Sequence, residues 1–239
     1  MLIFLDVETT GLELEDTMCS IGIIALDNTE VTSQYELINE GKKISVKASS
    51  INHITAEMIQ DKPKFRENQI YKFLEEHNNT ETTIVGHNIN FDIQKLLLAG
   101  FRFKGSVIDT LRVSKHLIPE CEGYALQILR YELKLYKDER EESLKCGIKE
   151  KIISHNALSD ALVVKQLYGY LLEFASPEIM NELSFKNVLL QKFEFGKYEG
   201  RYIEEITMCD RGYLEWMLAS IVDLDEDLRY SINYYLQGN

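Results

Sequence analysis

The chain opens on an apolar, β-rich run from Leu2 to Val7, interrupted only by Asp6, which predicts a buried strand. Ser20 to Leu26 predicts a second strand ended by the Asp27-Asn28 turn signal, and the alternating Val31 to Ile38 predicts a third. These three read as an antiparallel meander. Thr83 to Val85, closed by Gly86, and Ser106 to Ile108 predict two more short strands. Elsewhere the apolar positions switch to helical spacing, over Thr55 to Asp61, Arg66 to His77, Phe91 to Ala99, Tyr124 to Leu135 and Leu158 to Phe174. Pro63 separates the first two helices, Gly100 closes the third, and Asp109 is placed to cap a helix after the fifth strand. Strands first, then strand–helix alternation, predict an α/β fold: a mixed five-stranded sheet flanked by helices.

Ser176-Pro177 marks a boundary between a domain over residues 1–176 and a small, mainly helical C-terminal module over 177–239. Within the module, helical spacing covers Arg211 to Ser220 and Glu226 to Leu236, after a turn from Phe195 to Gly200. The charged stretch from Tyr136 to Lys151 reads as a solvated loop or helix end and is assigned no chemistry.

Composition narrows the class. At 239 residues the chain exceeds one typical domain, and 45% apolar content is enough for a proper core. Cys19, Cys121, Cys146 and Cys209 form no C-x-x-C pair, which suits reduced thiols rather than a disulfide framework or zinc site. Nothing approaches the roughly 18 apolar residues of a membrane span, so no membrane partner and a cytoplasmic location are expected. A net charge of −13 argues against a sequence-specific duplex reader, whose footprint is usually basic. An enzyme that grips only a few terminal nucleotides tolerates it.

Part of that acidity is concentrated. Asp6 and Glu8 are two apart on a strand and so share one face, an unusual load for a buried strand. Asp92 follows Gly86-His87-Asn88-Ile89-Asn90-Phe91 at a helix start, where a lone acid would only complement the helix dipole. His155 and Asp160 are five apart; they face a common point if His155 lies in a loop and Asn156 or a neighbour caps the helix. Gathered carboxylates raise one another's pKa, and divalent cations cancel that repulsion. Oxygen-only ligands favour Mg²⁺ or Mn²⁺.

Together the segments resemble the DEDDh, or DnaQ-like, 3′–5′ exonucleases. D-x-E-T-T-G-L matches Asp6 to Leu12, H-N-x-x-F-D matches His87 to Asp92, and H-x-x-x-x-D matches His155 to Asp160. Asn52-His53-Ile54-Thr55 stands where the family often has H-G-I-T, a departure outside the acid set. The resemblance implies an RNase H-like sheet and hydrolysis of the terminal phosphodiester of a nucleic acid 3′ end with two Mg²⁺ or Mn²⁺ ions. Asp6, Glu8, Asp92 and Asp160 would hold the ions, with His155 as general base. Thr9, Thr10 and Leu12 are candidates for gripping the terminal nucleotide; His87 and Asn88 would contact substrate or order their loop. Phe91 is either a stacking platform or, more simply, core.

The tail is similar to the C-terminal module of exodeoxyribonuclease X-like proteins, through Phe195-Gly196-Lys197-Tyr198-Glu199-Gly200 and Tyr213-Leu214-Glu215-Trp216. Gly196 and Gly200 would shape a turn while Tyr198, Tyr213 and Trp216 fill a small core; the alternative is nucleic-acid contact by Lys197, Arg201 or exposed aromatics. The expected substrate is single-stranded or frayed DNA, releasing nucleoside 5′-monophosphates in repair or proofreading. RNA, an inactive binding module and a polymerase-associated subunit are the alternatives. Gln191 to Phe195 only faintly echoes a clamp-binding peptide and is read as coincidence.

Overall fold

The computed structural model describes residues 1–28 and 30–238. A five-stranded sheet has the order β3-β2-β1-β4-β5. Its strands are β1 (Leu2–Thr9), β2 (Met18–Asp27), β3 (Glu30–Leu37), β4 (Thr83–Gly86) and β5 (Ser106–Asp109). The first three form the antiparallel meander, while β4 and β5 run parallel to β1. Helices follow as α1 (Val46–Asn52), α2 (Ala56–Ile59), α3 (Gln69–Glu76), α4 (Ile89–Leu98), α5 (Thr110–Leu117) and α6 (Leu126–Glu132). The remainder are α7 (Glu139–Lys145), α8 (Ala157–Leu171), α9 (Pro177–Leu183), α10 (Ile203–Cys209), α11 (Arg211–Ser220) and α12 (Glu226–Leu236). None of the described helices is long and apolar enough to cross a membrane.

Strand alternation divides the apolar residues between two cores. Ile3, Leu5 and Val7 pack with Phe65, Ile70, Leu74 and Leu96 on one face. Phe4, Ile24, Val85 and Ile108 pack on the other, against α8. That helix is apolar nearly all round because it lies between the sheet and α5, α6 and α7. The close approach of α8 to the sheet depends on Gly22. A Cβ there would lie 2.2 Å from the Leu158 nitrogen and 2.3 Å from the Ala157 carbonyl carbon, both backbone atoms that cannot swing aside. Gly22→Ala is expected to destabilise the chain by about 1–3 kcal/mol, the usual scale of overpacking, read as a lower urea midpoint at unchanged slope. An unchanged midpoint would mean that α8 is not seated on β2.

Several helix starts are set by short polar side chains. Asn156 accepts from the Ser159 amide, Asn68 from Tyr71, and Asp109 from Leu111, as expected of a cap at that position. Asn68 also divides the expected Arg66 to His77 helix, leaving a 3₁₀ turn at Phe65–Glu67 before α3. Helix α7 lies inside the charged stretch that reads as a solvated loop or helix end; Glu142 pairs with Lys145 and Lys165, and Glu139 with Arg130.

The expected boundary at residue 176 cuts through the first core. Ser176 and Pro177 start α9, whose Met180 is fully buried with the α8 residues. A separate core begins near Leu190, built from Phe193, Ile203, Ile206, Leu214, Met217, Leu228 and Ile232. Gly196 and Gly200 take positive φ, 82° and 79°, in the turn before α10. Phe193, Tyr198 and Tyr213 pack ring to ring, but Trp216, expected inside this core, is half exposed beside Tyr213. Phe193 is buried, so the Gln191 to Phe195 segment does not present it to a partner. The module is fastened to the sheet domain by Arg112 of α5, which donates to both carboxylate oxygens of Asp227 at 2.9 and 3.0 Å. Asp227 also accepts from the Val188 amide at 2.8 Å.

Candidate active site

The connection from β1 leaves the sheet toward β2, and that from β4 leaves toward β5. Between the carboxyl ends of these parallel neighbours a crevice opens, the usual ligand position in open α/β sheets. Pairing of β1 with β4 stops at Phe4 opposite Val85. Val7 has therefore no strand partner on that side, and its amide donates to Asp92 Oδ1 at 2.9 Å. This bond brings an acid from the first turn of α4 to the edge of β1.

Asp6 and Glu8 continue the Leu2, Phe4 face, the one covered by α8. Phe4 meets Tyr168 edge-on at 5.5 Å. Asp160 precedes Tyr168 by eight residues, about 12 Å of helix, which matches the roughly 13 Å of strand from Phe4 to Glu8. Gly22, directly opposite Asp6, seats the first turn of α8 on the sheet. Asp160 accordingly comes down over the Asp6–Glu8 end of β1.

His155 lies in the loop before the Asn156 cap, with φ of 59°. Three bonds hold that loop against the first turn of α8. The His155 amide donates to Asp160 Oδ2 at 2.8 Å, Ser159 donates to Asn156, and the Ile153 amide donates to Ser159 Oγ. One ligand atom each from Glu8, His155 and Asp160 lie within 4.8 Å of one another.

The electrostatics follow from this crowding. Burial pushes Asp6 well above the usual carboxylate range, and Asp92, Asp160 and Glu8 add repulsion in that order. Burial, Asp160 and Asp92 raise Glu8 to about 8, against the opposing hydrogen bond from Asn52. Burial also raises Asp92 to about 8, although the Val7 amide favours its charged form. Asp160 rises only to about 6, because the His155 amide, the Arg130 charge and the Gln127 amide offset part of its burial. Such a set of oxygen donors suits a divalent cation, whose charge reverses these shifts.

The other expected contacts sort by position. Thr9 donates its hydroxyl to Gly11 O, and Thr10 donates to Asp16 Oδ1, so both hydroxyls shape the turn. Leu12 is three-quarters exposed. A cavity of about 350 Å³ beside Glu8 is lined by Thr9, Leu12, Ala48, Ile51 and Asn52. His87 orders its loop: Nε2 donates to Tyr124 O at 2.7 Å and Nδ1 lies 3.0 Å from the Thr110 hydroxyl. Burial pushes its pKa down to about 4, so the ring is neutral near pH 7. Asn88 is exposed in the left-handed region, with its amide donating to Asp109 at 2.9 Å. Phe91 packs against the α3–α4 core, under the Lys95 ammonium at 5.3 Å.

Two polar residues outside the acid set gain a role. Lys95 is buried and donates to the carbonyls of Glu13 and Asp16 at 2.8 and 2.7 Å, holding the loop that carries Leu12. Asn52 is buried in the position where the resembling family often has histidine; it donates to Thr9 O and accepts from the Ile54 amide. The departure from histidine at this position is the mark it leaves in the sequence.

Comparison with known proteins gives the family. A family model described as Exonuclease matches residues 3–168, and one described as Exodeoxyribonuclease X-like C-terminal matches residues 193–221. Exodeoxyribonuclease 10 of Escherichia coli (strain K12) is 26% identical over 244 residues, covering 100% of both chains. A DNA polymerase III PolC-type of Thermotoga maritima is 32% identical over 175 residues, covering 70% of this chain but 11% of that protein. Among solved structures, exonuclease X in complex with 5′ overhanging duplex DNA superposes with a TM-score of 0.58 at 22% identity. That match covers 77% of this chain and 99% of the other.

Proposed function

The chain belongs to the exonuclease family, and from that premise we propose that it removes nucleotides from DNA 3′ ends, releasing nucleoside 5′-monophosphates with Mg²⁺ or Mn²⁺. The observation that carries this reading is the convergence of Asp6, Glu8, Asp92 and Asp160 at the crevice between β1 and β4, with His155 beside Glu8 and Asp160. DNA is favoured over RNA because the full-length relative is an exodeoxyribonuclease and its likeness includes the C-terminal module.

In this reading Asp6, Glu8, Asp92 and Asp160 would hold the ions. The fit rests on the donor set: four mutually repelling carboxylates with raised pKa values, which would otherwise be a cost without return. When bound, two such ions stabilise the attacking and leaving oxygens of a phosphoryl displacement. His155, exposed at the crevice on a loop tied to Asp160, takes the proton of the attacking water. Thr9 and Leu12 line the cavity beside Glu8, where the terminal nucleoside is placed. Lys95 keeps the Gly11 to Thr17 loop from yielding as that nucleoside enters.

The test uses matched single-stranded DNA, duplex DNA and RNA, each labelled at the 3′ or the 5′ end. With Mn²⁺ or Mg²⁺ the 3′ label should appear at once as mononucleotide, while the 5′-labelled strand shortens stepwise; EDTA should stop both. Early release of the 5′ label would overturn the polarity, and faster digestion of RNA the substrate.

A further inference from the structure

Behind Asp160 stands a polar relay that reaches the charged stretch around α7. Gln127 of α6 donates its Nε2 to Asp160 Oδ1 at 2.8 Å. Its Oε1 accepts from Arg130 Nη1 at 2.9 Å. Arg130 is buried, and its other nitrogens grip the Glu139 carboxylate of α7, Nη2 at 2.7 Å. The direction of the Gln127 amide is chemically determined. A flipped amide would turn its NH₂ toward the guanidinium and its oxygen toward the carboxylate, losing both bonds. A chain of polar contacts from α7 through α6 thus ends on one carboxylate oxygen of Asp160, while the His155 amide fixes the other.

We propose that Gln127 is a positioning residue for ion binding, its amide locked by the Arg130–Glu139 pair so that Asp160 presents its oxygens to the crevice. The proposal rests on the reading of Asp160 as a ligand. Ligating carboxylates are commonly held by hydrogen bonds from behind, and loss of such a partner weakens metal affinity about 10–100-fold. A side chain held at both oxygens pays less entropy when an ion arrives.

The experiment is calorimetric titration of the full-length chain with Mn²⁺ alone, for the parent, Gln127→Met, Gln127→Glu and Asp160→Asn. Gln127→Met keeps the bulk and loses both bonds. Gln127→Glu keeps the Arg130 contact but turns an acceptor toward Asp160, so a role confined to bracing the Arg130 guanidinium would survive in it. Both Gln127 variants should bind Mn²⁺ about 10–100-fold more weakly, and saturating Mn²⁺ should restore most of kcat. Should Gln127→Met be too unstable to titrate, Gln127→Glu carries the comparison. If Asp160→Asn weakens binding but Gln127→Glu and any folded Gln127→Met bind like the parent, the positioning role is overturned. If Asp160→Asn itself binds like the parent, the ligand assignment falls and the proposal with it.

Discussion

Asp6→Asn is expected to lower nucleotide release by roughly 10³-fold or more, because loss of several kcal/mol of charge stabilisation at the reacting oxygens has that effect. The same change should make the ion-free protein more stable above neutral pH. Asp6, Glu8 and Asp92 are all raised in the folded chain, the latter two to about 8, and Asp160 to about 6. The folded state therefore holds more protons than the unfolded one from about pH 4 upward. Stability present below the ordinary carboxylate range is lost as pH rises through 6 and then 8. Removing Asp6 relieves the most crowded acid, so the decline with pH should flatten. Thermal melts in EDTA at pH 5 and pH 8 measure this, and added Mn²⁺ should lift the parent most at pH 8. A variant as active as the parent would remove Asp6 from the chemistry. One that is inactive and also less stable at pH 8 would make it a folding residue instead.

His155→Ala should reduce kcat by roughly 10²–10⁴-fold, the usual scale for a general base. The imidazole is exposed and makes none of the bonds that hold its loop, which run through its backbone amide, Asn156 and Ser159. The fold should therefore be unaffected. Because His155 also lies within ligand distance of Glu8 and Asp160, ion affinity separates two roles. Unchanged Mn²⁺ affinity with low kcat marks a base. Weakened affinity with activity restored at saturating Mn²⁺ marks a ligand and overturns the assignment.

Much of this site could be read from residue types and spacing. Two acids on one face of an apolar strand cannot both be core, and Asn156 before Ala157-Leu158 places His155 in a loop and Asp160 one turn into α8. What could not be read depends on contacts distant in sequence. Lys95 bonds backbone carbonyls, which leave no trace in side-chain pattern. Gln127 and Glu139 acquire their positions only when α6 and α7 pack on α8. Helix α1 has no apolar stripe, since Val46 is exposed; it is formed by the Ser45 cap and anchored by Asn52. The boundary near residue 176 failed because Ser-Pro marks a helix start as readily as a linker.

The grip of Arg112 on Asp227 also bears on how the molecule comes apart. One carboxylate satisfies both the guanidinium and the Val188 amide, so lifting α12 away strands a cation and an N–H together. The tail is then no swinging appendage: the two cores are expected to melt in one transition, and a chain cut before residue 188, which leaves the Arg112 side of the contact without its carboxylate, is expected to melt at a lower temperature than the full chain.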